Sequence, residues 1–190
     1  MNRRKAIGGI LGITGVSLVS FAGAKYFIGN SSHKRGNLET HIDLISELAD
    51  VIIPPTSSPG GKATGVQDYI IGYLENCSSL KEYNNFINGL NDLQETSVNS
   101  YNRVFEECSA NQKQQLLENL DNQWNSKGIF LKISNKLLGK SFFNILKTLT
   151  VEGYCTSSMG ATKHLIYRPI PGRYNAVTDI GVKQKAWATK

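Results

Sequence analysis

Apolar residues recur at helical spacing through most of the chain. Between residues 38 and 52 they return every three or four positions, until Pro54 and Pro55 end the pattern. Similar patterns cover residues 66–74, 83–105, 116–124 and 129–149. Alternation of apolar and polar residues over strand length is missing. The pattern therefore predicts an all-α protein, an irregular helical bundle of roughly four to six helices.

Two predicted helices begin at sequences of capping-box form. Thr64 is followed three residues later by Gln67, and Ser109 is followed in the same way by Gln112. In such a box the hydroxyl and the longer side chain each accept a hydrogen bond from the other residue's backbone N–H. We therefore expect one helix to begin just after Thr64 and another just after Ser109.

The first 24 residues have the pattern of an export signal. Arg3, Arg4 and Lys5 precede an apolar, glycine-rich stretch that ends in small residues, and this order is typical of a signal peptide. The adjacent arginines favour the twin-arginine route, so we expect a periplasmic, membrane-associated protein. An ordinary secretory signal is one alternative. Retention of residues 6–24 as an anchor is another, because about 20 apolar residues span a bilayer.

The remaining chain divides into three parts by composition. After the predicted signal peptide (1–24), residues 25–37 are polar and rich in helix breakers, and they predict a linker. Residues 38–150 carry the helical pattern and predict the bundle. Residues 151–190 contain prolines and glycines that favour an extended path, so we expect a C-terminal arm.

Charge and composition exclude several classes of binding site. The formal net charge is +6, and it falls to about +3 without residues 1–24, which carry three of the 21 basic residues. So small an excess does not indicate a nucleic-acid-binding protein. The three cysteines and three histidines are scattered and form no metal-binding or haem-binding motif. The cysteines are compatible with one disulfide and a free thiol, or with three reduced thiols.

The arm combines helix breakers with aromatic and basic residues. Pro169 and Pro171 force an extended or turning path, and tyrosine, tryptophan and arginine occur on both sides of them. These three residue types are enriched at protein–protein hot spots. We therefore interpret the arm as a docking element. The alternative is that it wraps around the chain's own bundle.

Two blocks of the sequence resemble the gluconate 2-dehydrogenase subunit 3 family. The C-terminal block reads Glu152-Gly-Tyr-x-Thr-Ser157, Gly160-Ala-Thr-Lys163, Tyr167 and Pro171-Gly-Arg-Tyr174. An upstream block is similar to the family's first helix and loop, and it reads Leu48-Ala-Asp-Val-Ile-Ile-Pro-Pro-Thr56, Pro59-Gly60 and Ala63-x-Gly-Val66. The closing Gln184-Lys-Ala-Trp187 also fits. The resemblance covers roughly residues 38–188.

The resemblance implies a non-catalytic subunit that belongs to a larger complex. The large subunit would be an FAD-dependent flavoprotein of the glucose-methanol-choline type that oxidises a sugar or polyol. Its electrons would pass to a cytochrome c subunit carrying haem c or to another membrane acceptor. This chain would provide the export signal and bind and stabilise the flavoprotein, with no cofactor of its own. The expected partner interface consists of Glu152, Tyr154, Thr156, Lys163, Tyr167, Pro171, Gly172, Arg173 and Tyr174.

Two other functions are compatible with the residues. Glu152 and His164 can be written as a general acid and base, assisted by Tyr154 or Lys163, in a small periplasmic enzyme. A structural protein tethered by residues 6–24 is the other alternative. The sequence has no glycine-rich nucleotide-binding motif, so we expect neither FAD nor NAD to bind this chain through a Rossmann fold.

Overall fold

The computed structural model describes residues 35, 36, 38–125, 140–170, 172, 177 and 179–188, and it leaves out the side chains of 123–125. Five α-helices account for most of the described residues. They are α1 (Ile42–Ile52), α2 (Val66–Asn76), α3 (Leu80–Tyr101), α4 (Ala110–Asn125) and α5 (Phe142–Thr156). Short 3₁₀ turns cover Leu38–His41, Lys62–Thr64 and Phe105–Glu107, and a π-helical turn covers Gly160–His164. These residues form no β-sheet, and the predicted all-α fold is confirmed.

Helix α5 lies at the centre of the packing. It contacts both α2 and α3 extensively, while α1 packs against α2. The apolar faces of these helices meet in one core, in which Phe86 of α3 is fully buried and its ring lies 5.2 Å from the ring of Phe142. Burial of one such large side chain contributes about 1.5–3 kcal/mol. The apolar residues at helical spacing therefore form the core, as predicted.

The close approach of α3 and α5 depends on a glycine. A Cβ atom at Gly89 of α3 would overlap the Cβ and Cγ atoms of Phe142 at the start of α5. Because only glycine leaves room for that ring, Gly89 sets the distance between the two helices. Gly72 of α2 has open space around it and plays no such part.

The start of α4 agrees with its predicted capping box. The Gln112 N–H donates to the Ser109 Oγ at 3.4 Å, and the Ser109 N–H donates to the Gln112 Oε1 at 2.9 Å. A second box, formed by Ser79 and Glu82, begins α3. Both pairs provide partners for backbone N–H groups that a helix leaves free at its start.

The predicted capping box at Thr64 is wrong. Helix α2 begins after Gly65, whose φ of +74° places it in the left-handed region, and no side chain caps the helix. The Thr64 hydroxyl instead donates to the Gly61 carbonyl oxygen at 2.8 Å. The sequence around Thr64 forms a 3₁₀ turn, and that turn uses the hydroxyl before the helix begins.

Helix α5 differs in its bounds from the predicted apolar run. It begins at Phe142, where the Ser141 Oγ accepts a hydrogen bond from the Asn144 N–H, and it continues to Thr156. The start of the predicted arm, from residue 151, is therefore still helical. Residues 126–139 and the predicted signal peptide (1–24) lie outside the described residues. Among the described helices, none has the length and apolar character needed to cross a membrane.

Candidate functional site

The two sequence blocks that carry the family resemblance meet in the structure. The Tyr154 hydroxyl, near the end of α5, donates to the Pro59 carbonyl oxygen at 2.8 Å. One residue earlier, the backbone of Gly153 lies against the Tyr69 ring of α2, so a Cβ atom there would be 2.8 Å from the ring's Cδ1. We call this contact region the motif junction. It joins segments that lie 95 residues apart.

The proline loop, residues 54–65, lies tightly against α1. The Gly61 N–H donates to the Ile53 carbonyl oxygen at 2.8 Å. A Cβ atom at Gly61 would overlap the Ala49 carbonyl group, and one at Gly60 would overlap the Asp50 carboxylate. The two glycines are therefore required by close packing.

One carboxylate connects the proline loop to two helices. Glu47 of α1 accepts a hydrogen bond from the Lys62 Nζ at 2.6 Å and another from the Lys113 Nζ of α4 at 2.8 Å. Lys113 is buried, and its ammonium also lies 5.7 Å from the centre of the Phe105 ring. The hydrogen bond from Lys113, followed by that from Lys62, lowers the pKa of Glu47. This charge cluster fixes the loop on the bundle.

A tyrosine and a glutamate lie together on the α2–α5 face. Burial raises the pKa of Tyr69, and the negative charge of Glu152 raises it further. Glu152 is exposed. The phenol hydroxyl of Tyr69 can donate a hydrogen bond.

The chain after the π-helical turn folds back on its own start. The Ile166 N–H donates to the Ala186 carbonyl oxygen at 2.8 Å, and the Ala188 N–H donates to the Ile166 carbonyl oxygen at 2.9 Å. The Arg168 guanidinium lies 4.9 Å from the centre of the Trp187 ring. We call residues 165–188 the C-terminal tail. Ile166 and Trp187, near its two ends, form a parallel β-bridge.

The C-terminal tail exposes large apolar side chains. Ile180 is 87% exposed and Val182 is 97% exposed, and Ile170 and Val177 are exposed to a similar extent. The Trp187 side chain, 44% exposed, lines a shallow groove with Ile180 and Ala186. Ile180 and Val182 do not stand out in the sequence, because isolated β-branched residues among polar ones have no helical period.

The sequence model of the gluconate 2-dehydrogenase subunit 3 family matches residues 39–172. The chain belongs to this family. No curated protein and no solved structure matches the chain. The family match contains the whole motif junction and ends at Gly172, where φ is +73°. The closing residues 184–187, which resembled the family in sequence, lie beyond it.

Most of the expected interface residues that the structure describes lie on the surface. Glu152, Thr156, Lys163, Tyr167 and Gly172 are exposed. Tyr154 is not, because its side chain is only 2% exposed and packs in the core. Its position shows that this part of the family sequence holds the fold together and does not offer the ring to a partner.

The other predicted interface and export residues, Pro171, Arg173, Tyr174, Arg3 and Arg4, lie outside the described residues. Their assignment stays a prediction from the sequence. Nothing in the described geometry bears on it.

Glu152 and His164, the alternative acid–base pair, have different neighbours in the structure. Glu152 lies beside Tyr69, whereas the His164 ring packs edge-on against Tyr154 with 5.4 Å between the ring centres. Glu152 and His164 form no hydrogen bond or ion pair with each other. A general acid and base serving one substrate must both reach the reacting atoms. This arrangement gives the enzyme hypothesis no specific support.

Proposed function

We propose that this chain is the non-catalytic small subunit of an exported, FAD-dependent dehydrogenase complex that oxidises a sugar or polyol. The observation that carries the proposal is membership of the gluconate 2-dehydrogenase subunit 3 family over residues 39–172. The large subunit would be a flavoprotein of the glucose-methanol-choline type. It would hold the FAD, and a cytochrome c subunit or another membrane acceptor would take the electrons.

The role proposed for this chain is binding and export. The helical bundle gives the chain a core of its own, and the arm (151–190) presents exposed tyrosine, lysine and arginine side chains, such as Tyr167, Lys163 and Arg168. Tyrosine and arginine are enriched at interfaces. The segment with Arg3 and Arg4 would direct the folded complex to the periplasm by the twin-arginine route.

Purification of the native complex tests the proposal. The chain is tagged at its C-terminus and isolated from its native envelope fraction under mild conditions. We expect a larger protein with an FAD spectrum and dye-linked oxidation of a sugar or polyol to accompany it. A colourless preparation of this chain alone would contradict the proposal, and Glu152 and His164 would then be tested as an active site.

The export role has a separate test. Replacing Arg3 and Arg4 with lysine keeps the positive charge of the signal but removes the arginine pair. We expect both the chain and the flavoprotein to accumulate in the cytoplasm. Unchanged export of both would show that the chain uses an ordinary secretory signal.

The predicted interface residues of the arm have their own test. We expect Arg173→Ala combined with Tyr174→Ala to reduce recovery of the flavoprotein, since arginine and tyrosine are frequent hot-spot residues. The helical far-UV circular dichroism signal should be unchanged. Undiminished recovery, or unfolding of the double variant, would remove these two residues from the interface.

A further inference from the structure

Opposite charges are segregated along the chain. Residues 160–190 contain six lysines or arginines and a single acidic residue, whereas residues 35–159 contain ten basic and fourteen acidic residues. The small net charge of the whole chain conceals this division. The bundle is therefore acidic and the C-terminal segment basic.

The two regions also differ in how their charges are paired. Among the described residues, all four ion pairs lie within residues 47–147, as in the pairs of Glu47 with Lys62 and Lys113. The basic side chains of the C-terminal tail have other contacts: Arg168 lies over the Trp187 ring, and the Lys185 Nζ donates to the Lys163 carbonyl oxygen at 2.8 Å. Carboxylates from another molecule would complement this charge.

Exposed apolar residues occupy the same part of the tail. Ile180 and Val182 are more than four-fifths exposed, and two basic residues, Lys183 and Lys185, follow them, while the acidic Asp179 precedes them. Apolar anchors surrounded by charged residues are typical of a protein interface. The family match ends at Gly172, so this surface lies beyond the matched residues.

The backbone of this segment favours a protein partner over a membrane. Pro169, Gly172 and Gly181 oppose a continuous amphipathic helix, and residues 165–170 and 179–188 have an extended or turning path. An extended segment brings unpaired N–H and C=O groups with it, and these are costly to bury in hydrocarbon. On a protein surface the same groups can pair with the partner's backbone and side chains.

We propose that residues 179–188 dock the flavoprotein subunit, through Ile180, Val182 and Trp187 as apolar anchors and Lys183 and Lys185 as charged contacts. The surface that receives them on the flavoprotein has an apolar centre and an acidic rim. This inference rests on the proposed function, because it takes the flavoprotein as the partner. It adds the segment that binds and the chemistry of the surface that it fits.

Two double variants of the full-length chain test the docking segment. One is Ile180→Ser with Val182→Ser, and the other is Lys183→Glu with Lys185→Glu. The tagged chains are purified from the native envelope at a series of salt concentrations, and flavin is measured per tagged chain. We expect each variant to lower flavin recovery at least about tenfold. For the charge variant, the deficit should narrow as salt rises.

Matched substitutions on the bundle provide the controls. Val98→Ser removes an apolar side chain that is 43% exposed, and Arg103→Glu reverses an exposed charge. We expect flavin recovery within about twofold of the wild type for both, since isolated surface substitutions have small effects. Equal losses in control and tail variants would overturn the inference.

The remaining outcomes separate this inference from the proposed function. Normal flavin recovery with both tail variants would overturn the docking segment and leave the proposed function intact. Absence of flavoprotein from the wild-type preparation would overturn both. Vesicles containing phosphatidylglycerol supply a third measurement. If the tail variants lose vesicle binding but keep the flavoprotein, the segment contacts the membrane and the inference is wrong.

Discussion

The same residue types are buried in the bundle and exposed in the C-terminal tail. Ile87 of α3 is 1% exposed, whereas Ile180 of the tail is 87% exposed. Lys113 is buried against Glu47, whereas Lys183 is exposed and follows the exposed Val182. Side chains that stabilise the bundle by burial contribute little to the tail's own folding, because they remain in water. Stability therefore depends on the bundle, whereas the recognition proposed for this chain depends on the tail.

The largest effect on the bundle is expected from Gly89→Ala. The added methyl group would overlap the Phe142 ring, and relief of the overlap would push α3 away from α5. Overpacking of this kind costs about 3 kcal/mol of unfolding free energy. Urea denaturation of the purified chain measures the loss.

Gly72→Ala provides the control for Gly89→Ala. Gly72 also lies within a helix, but a Cβ atom there meets open space. Alanine should therefore stabilise the chain by about 0.5–1 kcal/mol through helix propensity. Similar free-energy changes in the two variants would show that the Gly89–Phe142 contact does not set the helix spacing.

Glu47→Gln should have the next largest effect. The substitution leaves the buried Lys113 ammonium without its carboxylate, and we expect a loss of about 2 kcal/mol because Glu47 itself is partly exposed to solvent. Glu95→Gln, at an exposed position on α3, should change stability by less than about 0.5 kcal/mol. An equal effect of the two substitutions would contradict the role given to the charge cluster.

The pH dependence of Glu47→Gln sharpens this prediction. The pKa of Glu47 is lowered in the folded chain, so its stabilisation is fully present above the ordinary value of 4.5 and is lost as the pH falls through the folded value. The stability difference between the wild type and Glu47→Gln should thus be constant near neutral pH and shrink below pH 4.5. A difference independent of pH would show that the charge of Glu47 is not its source.

Tyr154→Phe tests the motif junction with a smaller effect. The change removes the hydrogen bond to the Pro59 carbonyl oxygen and keeps the buried ring, so we expect a loss of about 1 kcal/mol. In Tyr101→Phe the lost bond, to Gln115, is exposed to solvent, and the cost should be lower. Equal costs would mean that the junction does not hold the proline loop.

The smallest effect on stability is expected in the tail. Ile180→Ser with Val182→Ser should change the unfolding free energy by less than about 0.5 kcal/mol, because both side chains are exposed. Thermal unfolding followed by circular dichroism measures this change. A clear drop in the melting temperature would show that the tail packs on the bundle and would remove the contrast between the two regions.

Local features of the fold were readable from the sequence because they depend on neighbouring residues. Helical spacing predicted the all-α bundle, and the Ser109–Gln112 pair predicted the start of α4. The prediction at Thr64 failed, since Gly65 adopts a left-handed conformation that the capping-box pattern does not take into account. The capping-box pattern identifies side chains that are able to cap a helix. The backbone conformation determines whether they reach the N–H groups at its start.

The roles of the two family sequence blocks required the tertiary structure. The sequence identified both blocks and suggested Tyr154 as an interface residue, but only the fold shows that this ring is buried and that its hydroxyl reaches Pro59. In the same way, the sequence does not show that the Phe142 ring packs against Gly89 or the Tyr69 ring against Gly153. Contacts between distant segments depend on how the helices pack, and helical spacing alone does not specify that packing.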